Sequence, residues 1–188
     1  MHILETYALS CGCPITRPFI EEDTSLTLPS APYITLHSYD PKGTARLYDK
    51  WETVVEILKN NPQFNYDIIQ TGGLLDPKCV GANHDYLGKT SYNSLAFLIK
   101  NAKLHLGFDS LPVHLASYYD IKIVALYGYY ASMSKPYFSA IENIKIFEPD
   151  FSSIKPTFHY NDPYNLIQTI DPSQVANAVF DLLGVDIV

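Results

Sequence analysis

The stretch from Lys103 to Gly128, KLHLGFDSLPVHLASYYDIKIVALYG, predicts a β-α-β unit and constrains the fold more than any other part of the chain. Residues 103–108 alternate apolar with polar or small side chains, as a strand does. Pro112 suits the first turn of a helix, where its missing N–H costs nothing. Residues 121–127 form a nearly unbroken apolar run rich in β-branched residues, which is typical of a parallel strand buried on both faces.

Polar residues follow the first strand of this unit directly. Asp109, Ser110 and His114 lie at or just past its carboxyl end. In open α/β sheets ligands bind at that edge, and a helix N-terminus there attracts phosphate. The same residues also admit a structural interpretation, in which Asp109 and Ser110 only cap the helix and His114 is a hydrogen-bonded core histidine.

The rest of the chain predicts further strands and helices in alternation. A short helix over residues 2–10 and a proline-rich extended connector to residue 32 precede a Rossmann-like domain over residues 33–188. Alternating strands and helices imply an α/β fold with a parallel sheet and helices on both faces. Within the domain we predict strands at 33–38, 66–70, 103–108, 121–127 and 144–147, with a further short strand at Tyr86-Leu87, and helices at 48–59, 92–102 and 172–183.

Composition narrows the class of protein. The net charge of −7 argues against a non-specific nucleic-acid binder, since no basic run is available to neutralise phosphates. The three cysteines form neither a disulfide framework nor a zinc pattern, which makes a reduced, cytoplasmic setting the default. No stretch of about 18 apolar residues is present, so we expect no membrane span, and the N-terminus is not a convincing signal peptide.

Four loops follow strand ends and should gather at one edge of the sheet. They cover residues 39–47, 71–76, 109–114 and 128–135, and supply cations, two glycines with a carboxylate, and free helical N–H groups. A diphosphate needs cations and N–H donors, while a ribose needs an acceptor for its hydroxyls, so the loop contents predict a nucleotide-diphosphate pocket. The lone cations could instead be solvated loop charges, and the two glycines only a turn.

One phosphate-binding motif is excluded. Gly88-Lys89-Thr90-Ser91 resembles the end of a P-loop, but Asn83 stands where that motif has its earlier glycine, and no strong strand leads into it.

The order of motifs resembles glycosyltransferase family 9, whose best-known members are the ADP-heptose:lipopolysaccharide heptosyltransferases. The resemblance is carried by a basic loop after the first strand, a Trp-bearing helix, II-x-T-GG, L-GKTS, KLHLG-x-DS-x-x-x-H-x-A and a closing IVALYG strand. It covers residues from about 30 to 135, and more weakly 2–20 and the last helix. It implies the C-terminal, nucleotide-sugar-binding half of a two-domain GT-B fold.

The resemblance implies a role for each matching residue. Asp109, Ser110 and His114 would line the donor diphosphate and sugar, and Asp76 would take the place of the ribose-binding carboxylate. A cation of the first loop would hold the phosphates, and residues 88–91 would border the base. The implied donor-binding set is Arg46, Lys42, Asp76, Ser91, Asp109, Ser110 and His114, with Lys50 as a further alternative for the cation.

Two departures from the family pattern concern the phosphates. The family usually has glycine after the Asp-Ser pair, and Leu111 stands there, where its side chain narrows the approach. Arg46 replaces the family's lysine, which keeps the charge but changes its geometry.

The family's catalytic carboxylate belongs to the N-terminal domain, which this chain does not match. No catalytic residue is therefore assigned. The resemblance implies a glycosyltransferase half that binds an ADP- or UDP-linked sugar, needs no metal or other cofactor, and is completed by a missing domain, a partner chain or a second copy. Two alternatives stay open: a stand-alone nucleotide-binding module, and a structural or assembly protein that has lost the ligand.

Overall fold

The computed structural model describes residues 1–40, 46–129, 131–152 and 164–187. Six parallel strands form one sheet in the order β3-β2-β1-β4-β5-β6. The strands are β1 (Tyr33–His37), β2 (Asp67–Gly72), β3 (His84–Leu87), β4 (Leu104–Phe108), β5 (Lys122–Leu126) and β6 (Ile144–Phe147). The helices are α1 (Ile3–Cys11), α2 (Trp51–Asn60), α3 (Tyr92–Lys100), α4 (Leu111–Tyr118) and α5 (Pro172–Leu183). The predicted Rossmann-like α/β fold is therefore confirmed.

Helices cover both faces of the sheet, as predicted. On α2 the buried residues Trp51, Val54, Val55 and Leu58 recur at helical spacing, and they pack with α5 against one face. On the other face α3 and α4 pack through residues that include Ala96, Ile99, Val113 and Ala116. Because β4 alternates sides, Leu104, Leu106 and Phe108 enter the α2–α5 core, and His105 and Gly107 lie on the opposite side.

The connection from β2 to β3 differs from the repeating strand-helix pattern. Residues 73–83 contain no helix, and β3 nevertheless pairs with β2 in parallel, from Ile69 opposite His84 to Gly72 opposite Leu87. The sequence indicated only Tyr86-Leu87 as a strand, because His84 and Asp85 are polar and an edge strand gives a weak alternation signal. Backbone pairing with β2 extends the strand over these two residues.

The N-terminal segment crosses the α3–α4 face. The guanidinium of Arg17 donates to the carbonyl oxygens of Tyr118 and Phe138 at 2.7 and 2.9 Å, and Glu22 forms an ion pair with Lys100. Helix α1 itself has no buried residue. The boundary predicted at residue 32 stays a prediction. No helix within the described ranges is long and apolar enough to cross a bilayer.

Candidate functional site

The order in which strands are added to the sheet reverses between β1 and β4, while all strands stay parallel. The crossovers from β1 run outward to one edge of the sheet, and those from β4 run to the other, so a crevice opens beyond the carboxyl ends of these two neighbouring strands. His37 ends β1, and Asp109 and Ser110 follow β4. The strand order thus brings the first and third predicted loops together.

A cluster of charged and polar side chains occupies one side of this crevice. Nη1 of Arg46 lies 3.3 Å from Oδ2 of Asp40, and Nη2 lies 3.6 Å from Oδ2 of Asp109. The hydroxyl of Tyr129 donates to Asp109, and Nε2 of His114 lies 3.3 Å from Oδ1 of the same carboxylate. Ser134 also donates to Asp109, at 3.3 Å. We call these six residues, Asp40, Arg46, Asp109, His114, Tyr129 and Ser134, the Arg46–Asp109 cluster.

The electrostatics of the cluster keep Asp109 ionised. Burial of Asp109, which is 4% exposed, raises its pKa, but hydrogen bonds from His114 and Tyr129 and the positive charge of Arg46 outweigh burial and leave that pKa below its ordinary value. Burial and the neighbouring Asp109 raise the pKa of Tyr129 to about 12, so its phenol stays a hydrogen-bond donor. The cluster therefore holds two carboxylates around one guanidinium.

The start of α4 leaves backbone donors free. Ser110 is the N-cap residue, but its side chain makes no capping hydrogen bond, and Pro112 lacks an N–H. No described residue accepts a hydrogen bond from the backbone N–H of Ser110 or Leu111. Neither Asp109 nor Ser110 caps the helix with its side chain, so the interpretation of this pair as helix caps is wrong. Unpaired N–H groups at a helix N-terminus are suited to an anion.

Ser110 is instead joined to β1. Its hydroxyl donates to the carbonyl of Phe108 at 3.1 Å and lies 2.9 Å from Nδ1 of His37. Burial lowers the pKa of His37 to about 4, with a raising contribution from Asp40 and a lowering one from Arg46. The imidazole of His37 is therefore uncharged at neutral pH.

A cleft of about 500 Å³ opens beside the start of α4. This volume lies within the range of small-molecule sites. The lining residues come from β1, from the ends of β2 and β3, and from the first turns of α3 and α4: His37, Thr71, Gly72, Gly73, Gly88, Thr90, Ser91, Tyr92, Leu95, Leu111 and Pro112. Leu111 lines this cleft and also carries one of the two free N–H groups. Its side chain is 44% exposed.

Five of the sequence-predicted site residues lie in the cluster, at the start of α4 or in the cleft. Arg46, Asp109 and His114 belong to the cluster, Ser110 begins α4, and Ser91 lines the cleft. The side chain of His114 is 44% exposed, so it is not a core histidine. Their roles in binding a donor stay predictions.

The predicted ribose carboxylate, Asp76, and one alternative cation, Lys50, make contacts outside the cluster and the cleft. Lys42 falls outside the described residues. Lys50 donates to the carbonyl of Gln168. Asp76 does not line the cleft, because Oδ2 of its carboxylate accepts a hydrogen bond from the N–H of Gly73 at 2.6 Å and closes the turn that forms the cleft wall. Its role as the ribose carboxylate stays a prediction.

This turn gives a first testable prediction. Gly72 has φ +156°, a backbone conformation that residues with a side chain rarely adopt, and an added Cβ would also crowd Oδ2 of Asp76 and Cδ2 of Leu87, so we expect Gly72→Ala to cost about 2–3 kcal/mol in free energy of unfolding. The matched control is Gly12→Ala, at φ +66° with open space around it, which should cost only about 1 kcal/mol. Urea unfolding measures both, and equal losses would show that neither the backbone conformation of Gly72 nor the crowding around it adds to the cost.

Sequence reasoning missed four residues that shape the site. Asp40, Tyr129 and Ser134 complete the cluster, and His37 joins β1 to α4. Two of the predicted loops contain the first three of these residues, but nothing in their local pattern distinguishes them from neighbouring polar residues. His37 is the last residue of a buried strand, and that position was its only signal.

The part of the chain that the structure describes holds no group of three or more His, Cys, Asp or Glu side chains arranged to bind a metal ion. The expectation of metal-independent binding stays a prediction.

Comparisons with known proteins place the sequence and the fold. Residues 73–165 match glycosyltransferase family 9 (heptosyltransferase). No curated protein matches the chain in sequence.

Three solved structures share the fold. E. coli ADP-heptose LPS heptosyltransferase II has a TM-score of 0.63 and 18% identity, over 84% of this chain and 48% of that chain. TibC, described as an iron-containing dodecameric glycosyltransferase from enterotoxigenic E. coli H10407, has a TM-score of 0.64 and 16% identity, over 88% and 48%. E. coli heptosyltransferase WaaC with ADP has a TM-score of 0.60 and 14% identity, over 95% and 54%.

The chain spans about half the length of these structures, consistent with a partial C-terminal half. The resemblance derived from the sequence motifs is thereby confirmed: residues 73–165 match glycosyltransferase family 9, and the chain has a Rossmann-like α/β fold similar to that of heptosyltransferases over about half of their length.

Proposed function

We propose that this protein binds a nucleoside diphosphate or its sugar conjugate as the donor half of a glycosyltransferase. The observation that carries the proposal is the start of α4. There the unpaired N–H groups of Ser110 and Leu111 adjoin a cleft of about 500 Å³, at the point where the strand order of the parallel sheet reverses. A diphosphate matches the N–H donors in charge, and a nucleoside matches the cleft in size.

The Arg46–Asp109 cluster would supply the positive charge. Arg46 is held between Asp40 and Asp109, with 22% of its side chain exposed, so a phosphate has to compete with both carboxylates for the guanidinium. The free N–H groups face no such competition. We therefore assign the main anion contact to the backbone of α4 and a secondary contact to Arg46.

In a transfer reaction these groups would act on the leaving diphosphate. Donors preorganised around the developing charge stabilise the transition state of such a displacement. Transfer also requires an acceptor held against the donor. We propose that this comes from a further domain, a partner chain or a second copy, and the exposed apolar side chains of α1, Tyr7 at 62% and Leu9 at 73%, support such a contact.

Support for an adenine nucleotide comes from the fold relatives alone. The E. coli structures carry ADP or ADP-heptose in their descriptions, at 14% and 18% identity. The base is best identified by experiment, by following the melting temperature of the protein with ADP, UDP, GDP and their common sugar conjugates. A ligand that binds only the folded state raises that temperature by mass action. No shift with any of them at millimolar concentration would overturn the proposed function.

Variants of Leu111 separate the effect of its backbone N–H on nucleotide binding from the effect of its side chain. Leu111→Pro removes one N–H at a helix position that tolerates proline, and Ser110 already has an extended backbone, φ −162° and ψ 174°, close to the conformation favoured before proline. We expect Leu111→Pro to bind the nucleotide about 10-fold more weakly than Leu111→Ala, which keeps the N–H, because a hydrogen bond to a charged group is lost. Isothermal titration measures both affinities.

The side chain of Leu111 should act in the opposite direction. Leu111→Gly is expected to bind nucleotide more tightly than the unmodified protein, because it opens the approach to the phosphates. Unchanged or weaker binding would show that Leu111 does not obstruct the site. If Pro and Ala variants bind alike, the backbone of α4 is not the anion contact.

An assembly protein without a ligand is the second candidate. The partly exposed Leu111 at the mouth of the cleft and the uncovered α1 favour it. Absence of any nucleotide shift in both the unmodified protein and Leu111→Gly would support this candidate over the first.

A further inference from the structure

We propose that Nε2 of His37 accepts a hydrogen bond from a hydroxyl of the sugar attached to the bound phosphates, so that the cleft distinguishes ribonucleotides from deoxynucleotides. This inference rests on the proposed function and adds to it a residue that selects the ligand. It follows from the hydrogen bonds around Ser110.

The hydroxyl of Ser110 has one proton and two polar neighbours. It donates to the carbonyl of Phe108, which can only accept, and it also lies 2.9 Å from Nδ1 of His37. Both contacts are hydrogen bonds only if Nδ1 carries a proton and donates it to Ser110. The other nitrogen of an uncharged ring, Nε2, then has a lone pair and no proton.

Burial keeps the ring uncharged at neutral pH, since it lowers the pKa of His37 to about 4. Asp40 opposes this effect and Arg46 reinforces it. The ring of Phe108, at 4.6 Å between centroids, and the bond to Ser110 fix the orientation of the imidazole. Nε2 is thus a fixed acceptor that cannot donate.

This acceptor opens to the cleft. His37 is one of the lining residues, and Nε2 makes no hydrogen bond to any residue of the described ranges. Nor is it among the nitrogens there that are sealed from solvent without a partner, as Nε2 of His105 is. A ligand with a proton to donate can therefore reach it.

The neighbourhood of His37 points to a sugar hydroxyl. Ser110, which His37 contacts directly, supplies one of the two free N–H groups to which we assign the phosphates. The sugar is the part of a nucleotide joined directly to the phosphates, and its hydroxyls are hydrogen-bond donors. Asp76, the alternative acceptor, is turned toward the N–H of Gly73 and does not line the cleft.

A cycle of ligand and protein changes tests the inference. Affinities for ADP, 2′-deoxy-ADP and 3′-deoxy-ADP are measured by titration calorimetry in the unmodified protein, in His37→Asn and in His37→Phe. Asparagine keeps a donor near Ser110 but lacks Nε2, and phenylalanine keeps the ring against Phe108. Asp76→Asn serves as the matched control. Melting temperatures confirm that each variant is folded.

We expect removal of one of the two hydroxyls to weaken binding about 3- to 10-fold in the unmodified protein and in Asp76→Asn. In both His37 variants the same removal should change affinity less than about 2-fold, because the partner is already absent. The ¹⁵N resonance of Nε2 should also move when ADP is added, and less so with the deoxynucleotide that binds more weakly.

The outcomes separate the two levels of the proposal. If ADP binds, but loss of either hydroxyl has the same effect with and without His37, the inference is wrong and the proposed function stands. If the effect disappears in Asp76→Asn instead, Asp76 is the acceptor and the inference is equally wrong. If neither ADP, UDP nor GDP binds, the proposed function and the inference both fail.

Discussion

Asp109→Ala is expected to lower the free energy of unfolding by about 2–3 kcal/mol. Asp109 is 4% exposed and holds hydrogen bonds or ion pairs with Tyr129, His114, Ser134 and Arg46. Its removal leaves the partly buried phenol of Tyr129 without its acceptor and takes away one carboxylate partner of Arg46, and losing such a partner costs free energy. We take a value below that of a fully buried ion pair because Arg46 is 22% exposed and keeps its contact with Asp40.

Urea unfolding at pH 7.5 measures this loss. The control is Asp76→Ala, because Asp76 is also a loop carboxylate but accepts its hydrogen bond from a single backbone N–H, that of Gly73, and we expect a loss of about 1 kcal/mol. Asp109→Asn, which keeps the shape but removes the charge, should fall between the unmodified protein and Asp109→Ala. A loss in Asp109→Ala no larger than that in Asp76→Ala would mean that the cluster does not stabilise the fold.

The second large effect is loss of stability in acid, caused by the completely buried His105 and the partly buried His37. Burial lowers the pKa of His37 from 6.5 to about 4 and that of His105 from 6.5 to about 3. Below pH 6.5 the unfolded chain therefore takes up protons at both rings while the folded protein does not, so the free energy of unfolding falls as the pH falls. By pH 4 the loss of free energy of unfolding that is due to His37 alone amounts to about 3 kcal/mol, a large part of the stability of an ordinary domain.

Urea unfolding between pH 7.5 and 4.5 tests this prediction. Titration of Asp109 does not affect stability in this pH range. Its pKa is lowered from 3.8, so its contribution to the free energy of unfolding is lost only at more acidic pH. His105 is completely buried, and Nδ1 bonds Oγ1 of Thr35. His105→Gln is expected to flatten the dependence of stability on pH, whatever its effect at pH 7.5. A slope equal to that of the unmodified protein would contradict the assignment.

The sequence predicted most of the sheet because its central strands have strong local signals. Burial in the fold agrees with the apolar run of β5 and with the helical spacing on α2 and α5. The alternation of β4 located that strand, although all five of its residues are buried. The weakest prediction was β3, whose polar residues are held in a strand by pairing with β2. Helix α2 begins at Trp51 rather than Tyr48, because Tyr48 is buried and its hydroxyl bonds the carbonyl of Ile170.

Part of the candidate site could be predicted from the sequence for the same reason. Asp109, Ser110 and Ser91 could be found because each stands at the end of a predictable strand or the start of a predictable helix. The partners of Asp109 could not be found in this way. Tyr129 and Ser134 lie 20 and 25 residues further along the chain, in a loop without a periodic pattern.

The sequence by itself determined the alternating order of strands and helices, the parallel sheet and the edge at which polar loops meet, because these depend on local periodicity and on the rules of strand connection. Only the tertiary structure decided which contacts the polar side chains at that edge form. It turned Asp76 toward its own turn, placed Arg46 between two carboxylates and joined His37 to Ser110. These contacts link residues up to 73 positions apart, and side chains that distant meet only when the whole sheet has formed.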